Sequence, residues 1–174
     1  MTAHDYTAYA KHFPDWKSEI GIIEKIAVLS GYDKQISLMR SLYPDISVDD
    51  LSMRSWDLNT LPPRSYDLVV AMNVFHYSTN PKLWFSNVLS SCKWFWMQDL
   101  INRYRDGLGQ LGDDGDILRF KCPPLGMLSF FTNAFDISYL VDRIKKVVVY
   151  DGGGSTDPFR PSTHFLACIK GDLK

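Results

Sequence analysis

Apolar residues along this chain come in short dense blocks separated by polar turns, and their period changes from block to block. Between Tyr6 and Glu24, Trp16, Ile20 and Ile23 recur at a spacing that shares one helical face, which predicts an N-terminal helical segment over residues 1–24. EKIAVLSG then reads as a short buried strand closing in a turn at Ser30 and Gly31. KQISLMRSLYP follows with Ile36, Met39 and Tyr43 at helical spacing, and Pro44 stops it. Ile46 to Val48 is a weaker strand that runs into Asp49 and Asp50. YDLVVAM, Tyr66 to Met72, is apolar without alternation, the pattern of a strand buried on both faces.

NPKLWFSNVLSSC predicts a helix whose inward stripe is Leu83, Phe85 or Ser86, Val88 and Leu89, and KWFWMQDL is the next strand. Residues 103–135, which include the Gly- and Asp-rich RDGLGQLGDDGDILRF, predict a loop-rich insertion or lid. FDISYLVDRI has the look of a helix with Asp136 at its N-cap. The chain closes with KKVVVYD and THFLACIKG, two strands joined by GGGSTDPFRPS, which predicts an antiparallel pair. Alternating strands and helices give an α/β fold: a mostly parallel sheet with helical crossovers and an antiparallel C-terminal hairpin. At 174 residues the chain is expected to form a single domain, 1–174.

Composition narrows the function classes. Hydrophobic residues make up 45% and charged residues 22%, the balance of a soluble globular chain. The formal charge is -1, from 19 basic and 20 acidic residues, and no segment concentrates Lys or Arg, which argues against a nucleic-acid partner. No apolar run has transmembrane length and MTAHDYTAYAKHF lacks a signal-peptide core, so no membrane partner is expected. Cys92, Cys122 and Cys168 have no metal-ligand spacing and read as reduced thiols of a cytoplasmic protein. Asp113, Asp114 and Asp116 lack the spacing and closing Glu of a calcium loop, so no metal is expected. The Trp84, Trp94 and Trp96 cluster has two readings: a homodimer face, or a helix packed on a strand.

Four stretches carry a resemblance: DLNTLP (Asp57 to Pro62), SYDLVVAMNVFHY (Ser65 to Tyr77), VLSSCKWFWM, and the terminal HFLACIK. With them the chain, from about residue 25 onward, resembles the class I S-adenosylmethionine-dependent methyltransferases, whose sheet is Rossmann-like. The resemblance implies S-adenosylmethionine as cofactor. Asp57 then matches the acid that accepts from the adenine amino group, Leu58 offers its backbone amide to the ring, and Gly31 and Asn73 flank the methionine part. Two registers remain for the acid that holds the ribose. If IAVL is the family's first strand, Asp50 is that acid, and Asp57 follows only seven residues later. The sheet would then lack one edge strand or crossover helix. If IAVLSGYD is instead the second strand, Asp33 is the acid, and the central strand is lost with the glycine loop. The first register is preferred, because a missing middle strand leaves backbone groups unpaired inside the sheet.

His76, in the loop after the Tyr66–Met72 strand, and Asp99, at the end of KWFWMQDL, are the candidate catalytic residues. Ligands of open α/β sheets bind outside the carboxyl ends of the strands. An imidazole near its free pKa accepts a proton at neutral pH, so His76 suits a general base, although it also suits a histidine packed under its loop. Asp99 is placed to contact a substrate. Asp67, at the opposite end of its strand, reads as structural. The expected activity is methyl transfer from S-adenosylmethionine to a small-molecule or sugar-like acceptor. Of the family's glycine-rich loop only Gly31 is kept, in AVLSGYDKQ, with Tyr32 and Lys34 adding bulk. This motivates the other expectation, a methyltransferase-like partner or scaffold that binds no cofactor.

Overall fold

The computed structural model describes residues 17–29, 33–51, 66–72, 74–78, 80–100, 110–113, 117–122, 126–131, 144–151 and 164–170. The apolar block after Glu24 forms β1 (Lys25–Leu29), and the helix α1 (Asp33–Leu42) leads to β2 (Ser47–Asp50). YDLVVAM forms β3 (Tyr66–Met72), followed by a single 3-10 turn (Phe75–Tyr77) and the helix α2 (Pro81–Ser90). Then come β4 (Cys92–Leu100), β5 (Gln110–Asp113), β6 (Ile117–Cys122), β7 (Gly126–Phe131), β8 (Ile144–Asp151) and β9 (His164–Lys170). Six strands form one sheet in the order β2-β1-β3-β4-β9-β8, and β5-β6-β7 form another. β2, β1, β3 and β4 run parallel. β9 enters antiparallel between β4 and β8, and β8 is in turn antiparallel to β9.

The absence of alternation in β1 and β3 has a direct cause: both faces of the parallel sheet are covered. On one face, Ile36 and Met39 of α1 and Tyr43 just after it pack against Ile26, Val28, Leu68, Val70 and Trp96. On the other, Trp84, Phe85, Val88 and Leu89 of α2 pack against Ala27, Leu29, Val69, Phe95 and Met97. The inward stripe of α2 differs from the expected one at its start. Leu83 is 45% exposed, and Trp84 takes the buried position. Asn80 accepts the Leu83 backbone N–H at 3.3 Å and Pro81 occupies the first turn, so the cap sets the helical phase before any side chain packs.

Two other expectations are corrected. Residues 21–23 have no regular structure, so a helix does not continue to Glu24. Ile20 and Ile23 are buried all the same, while Ile22 is 90% exposed. A Cβ on Gly21 would lie 3.0 Å from the Trp94 indole, so the backbone approaches that ring more closely than a side chain permits. The segment 103–135, expected to be loop-rich, contains the three-stranded β5–β7 sheet. Its strands are four to six residues long, and the Gly, Asp and Pro residues of the short sequences between them hide the period in any longer window. Of the helix expected at FDISYLVDRI, residues 135–143 lie outside the described residues and Ile144 begins β8; residues 1–16 lie outside them too.

Asp67 is structural, as expected. Its Oδ2 accepts the backbone N–H groups of Glu24 at 2.9 Å and Lys25 at 3.0 Å, and Lys93 Nζ sits 2.9 Å from Oδ1. One carboxylate thus ties the amino ends of β1, β3 and β4 together. At the same end of the molecule Lys17 donates to the Leu42 carbonyl and stands 4.4 Å from the centre of the Tyr43 ring. Burial pushes the Tyr43 phenol from 10.0 up to about 12. The unfolded chain therefore releases this proton first, and stability is expected to fall as pH rises from 10.0 towards 12. Urea midpoints measured on either side of that range should show the slope, and Tyr43→Phe should flatten it.

Candidate functional site

Because β1 to β4 are parallel, their carboxyl ends share one rim. From β1 the chain passes through α1 to β2 on one side, then returns to β3 on the other. The order therefore reverses between β1 and β3, where Leu29 pairs with Ala71. Such a switch point opens a crevice at the carboxyl ends, because the two following connections leave in opposite directions. Gly31 and Asn73 each come two residues after this pair but lie outside the described residues, together with Asp57 and Leu58.

Asp50 ends β2 on that rim, level with Val28 of β1, and is exposed. The Leu51 N–H bonds to the Val28 carbonyl at 2.9 Å, which extends the ladder one residue past Asp50 and holds its backbone in place. The neighbouring Asp49 has another task. Its Oδ2 accepts the hydroxyl of Tyr66 at 3.1 Å, and Tyr66 is itself buried. Adjacent residues of a strand face opposite sides. One acid of the pair is therefore spent on the sheet while its neighbour presents a carboxylate to solvent. Nothing in the local pattern of Ser47–Asp50 distinguishes these two roles, since the partner of Asp49 lies 17 residues away.

His76 occupies the middle of the turn Phe75–Tyr77, directly beyond β3. The turn is held by bonds from the Ser78 N–H to the Phe75 carbonyl at 2.8 Å and from the Tyr77 N–H to the Val74 carbonyl at 3.2 Å. Phe75 is fully buried, with its ring edge-on to Trp84 at 5.4 Å and to Phe85 at 5.2 Å. The turn also lies against β4 and β7. β3 pairs with β4 as far as Met72 and Gln98, so Asp99 and Leu100 extend past the end of β3 and pair with Leu166 and Phe165. His76 and Asp99 thus belong to one rim, on the β3–β4 side of the switch point, with Asp50 on the β1–β2 side. Among the described residues no group of three or more His, Cys, Asp or Glu could hold a metal ion.

No protein-family model matches this sequence, and no curated protein matches it either. Solved structures do. The N-terminal domain of EvdMO1, crystallised in the presence of SAH and D-fucose, aligns at TM-score 0.61 and 12% identity over 99% of this chain and 85% of that one. An S-adenosylmethionine-dependent methyltransferase from Mesorhizobium loti aligns at 0.55 and 13% identity, over 91% and 97% of the two chains. The Burkholderia thailandensis 1,6-didemethyltoxoflavin-N1-methyltransferase, with its substrate and S-adenosylhomocysteine bound, aligns at 0.58 and 8% identity over 98% and 80%.

The fold is that of the class I methyltransferases.

In the methyltransferase fold the first strand is central and the third is an edge. β1 lies between β2 and β3, so it is the central strand, and Asp50 rather than Asp33 ends the strand beside it. Asp33 is instead the first residue of α1. Among the described residues no strand lies outside β2. The described side of the crevice carries Asp50. It offers an exposed carboxylate, an acceptor for two hydroxyls, on a backbone fixed by the β1 ladder. No helix among the described residues is long and apolar enough to cross a membrane. Two features of this rim had no signal in sequence: the Tyr66–Asp49 bond and the approach of β7 to the turn that carries His76.

Proposed function

We propose that this chain is an S-adenosylmethionine-dependent methyltransferase acting on a small-molecule or sugar-like acceptor. The observation that carries the reading is the exposed Asp50 carboxylate at the carboxyl end of β2, beside the β1–β3 switch point of a methyltransferase fold. Asp50 holds the ribose hydroxyls, Asp57 and Leu58 hold adenine, and Gly31 and Asn73 flank the methionine part. The cofactor supplies an electrophilic methyl group on a sulfonium. His76 takes the proton the acceptor gives up, and Asp99 orients the acceptor. Neighbours crystallised with SAH support the cofactor, and those whose structures include D-fucose or 1,6-didemethyltoxoflavin support a small acceptor. The buried Cys92 thiol, which donates to the Val88 carbonyl at 3.3 Å, accords with a reducing, cytoplasmic setting.

Calorimetric titration with S-adenosylhomocysteine tests this. Micromolar binding is expected, weakened about tenfold or more, ~1.4 kcal/mol, in Asp50→Ala and in Asp57→Ala. Absence of both heat and thermal shift at millimolar ligand would overturn it. That outcome would favour the scaffold reading, in which the residues following β1 hold no cofactor.

A further inference from the structure

β2 is four residues long and lies at the edge of the described six-stranded sheet, laddered to β1 alone among the described residues. Asp50 is its last residue, where a short edge strand opens first. The residues on either side of Asp50 are both fastened. Asp49 stands level with Ala27 of β1, and Ala27 with Val69 of β3. Tyr66 lies three residues before Val69, so its ring spans β1 obliquely for the hydroxyl to meet Asp49 Oδ2 at 3.1 Å. Ala27 and Tyr66 belong to one core cluster, and Leu51 packs against it while its N–H bonds to the Val28 carbonyl at 2.9 Å. Neighbouring residues of a strand alternate between faces, so Asp49 and Leu51 are held on the α2 side of the sheet. Asp50, between them, is turned to the side of Val48 and is exposed.

We infer that Tyr66 is a positioning residue for the ribose acid: its bond to Asp49 fixes which of two adjacent carboxylates is presented at the rim. The inference rests on the methyltransferase reading of Asp50. Tyr66 begins β3, at the end of that strand opposite the rim, so its influence on a ligand passes through β2. A one-residue slip of a strand exchanges its faces, and in SVDD it would put one acid where the other had been. A ladder of four residues resists such a slip weakly. The slip would also take Asp49 away from the Tyr66 hydroxyl, and a buried donor that loses its acceptor opposes it. Asp50 is thereby set in place before any ligand binds, and a group already ordered loses little further freedom on binding.

Calorimetric titration of the full chain with S-adenosylhomocysteine, run as a double-mutant cycle of Tyr66→Phe and Asp50→Asn, tests this role. Tyr66→Phe is expected to weaken binding about fivefold in the parent and less than about twofold in the Asp50→Asn background. In the ligand-free chain the Leu51 amide is expected to exchange about tenfold faster with solvent in Tyr66→Phe. Asp49→Ala should match Tyr66→Phe in both measurements. Asp49→Asn should recover most of the affinity, because its amide oxygen still accepts the hydroxyl. The two Asp49 variants decide the matter if Tyr66→Phe does not fold. Unchanged affinity in Tyr66→Phe overturns the positioning role, as does an equal loss in both backgrounds, since a merely structural bond weakens the two alike. If the unsubstituted chain binds no S-adenosylhomocysteine, the methyltransferase reading fails and this role with it. Binding by the unsubstituted chain that is indifferent to the Tyr66–Asp49 bond removes this role alone.

Discussion

Trp84→Ala is expected to cost about 3–5 kcal/mol, the largest loss from any single truncation considered. The side chain is fully buried at the centre of an aromatic group, edge-on to Phe75 at 5.4 Å, to Phe85 at 5.5 Å and to Phe95 at 6.3 Å. Removing it opens a cavity between α2 and the sheet that rigid neighbours on β3 and β4 cannot collapse to fill. A domain of this size has about 5–15 kcal/mol of total stability, so the variant should lie near its limit at ambient temperature. Trp84→Phe should behave quite differently. The indole Nε1 is buried and has no hydrogen-bond partner among the described residues, so the native state already bears the desolvation of that donor. Phenylalanine keeps most of the ring contacts and removes the unpartnered N–H, and the two effects oppose each other. Stability is expected to stay within about 1 kcal/mol of the parent. Urea denaturation of both variants, at constant m-value, checks the pair. A Trp84→Phe loss as large as the alanine one would mean that the indole N–H is satisfied in the native protein.

The second large effect concerns Asp67. Asp67→Ala is expected to cost about 2 kcal/mol, because a carboxylate bonding two backbone N–H groups and a lysine is worth more than an isolated surface ion pair. Lys93 is largely exposed and the two backbone donors can turn to water, which keeps the figure well below that of a buried pair. Burial by itself would raise the carboxyl pKa, but the Lys93 hydrogen bond, the Glu24 and Lys25 N–H groups and the Lys93 charge together hold it below the ordinary 3.8. A depressed carboxylate stabilises the fold at pH above its unfolded value and loses that contribution as pH falls through the folded one. The parent should therefore lose stability on acidification below 3.8, and Asp67→Asn should show a shallower acid limb. Equal slopes in the two proteins would remove Asp67 from the account of acid unfolding.

The same interactions separate what was legible in sequence from what was not. YDLVVAM could be assigned to β3 residue for residue, since an uninterrupted apolar run bounded by polar turns is a purely local signal. The order of α1 after β1, and of α2 between β3 and β4, was legible for the same reason. The phase of α2 was not. Leu83 and Trp84 are equally apolar by type, and the Asn80 cap decides which one turns inward. The β5–β7 strands were obscured because Gly107, Gly109, Gly112 and Gly115 dominate the approach to Ile117. In the candidate site, His76 and Asp99 could be named from their positions at strand ends, yet their sharing of one rim required the β3–β4 register. Asp49 was passed over because its partner Tyr66 is remote in sequence and adjacent only across the sheet.

By itself, then, the sequence determined the alternation of strands and helices and the burial of β1 and β3 on both faces. Those properties follow from hydrophobic period, which each segment carries alone. Tertiary structure alone decided that β1 is central, that Asp50 rather than Asp33 ends the strand at the crevice, and that a three-stranded sheet stands beside the turn of His76. Strand order and register arise from backbone hydrogen bonds between segments tens of residues apart. Every strand offers the same donors and acceptors to every other, so no local pattern encodes which partner it meets.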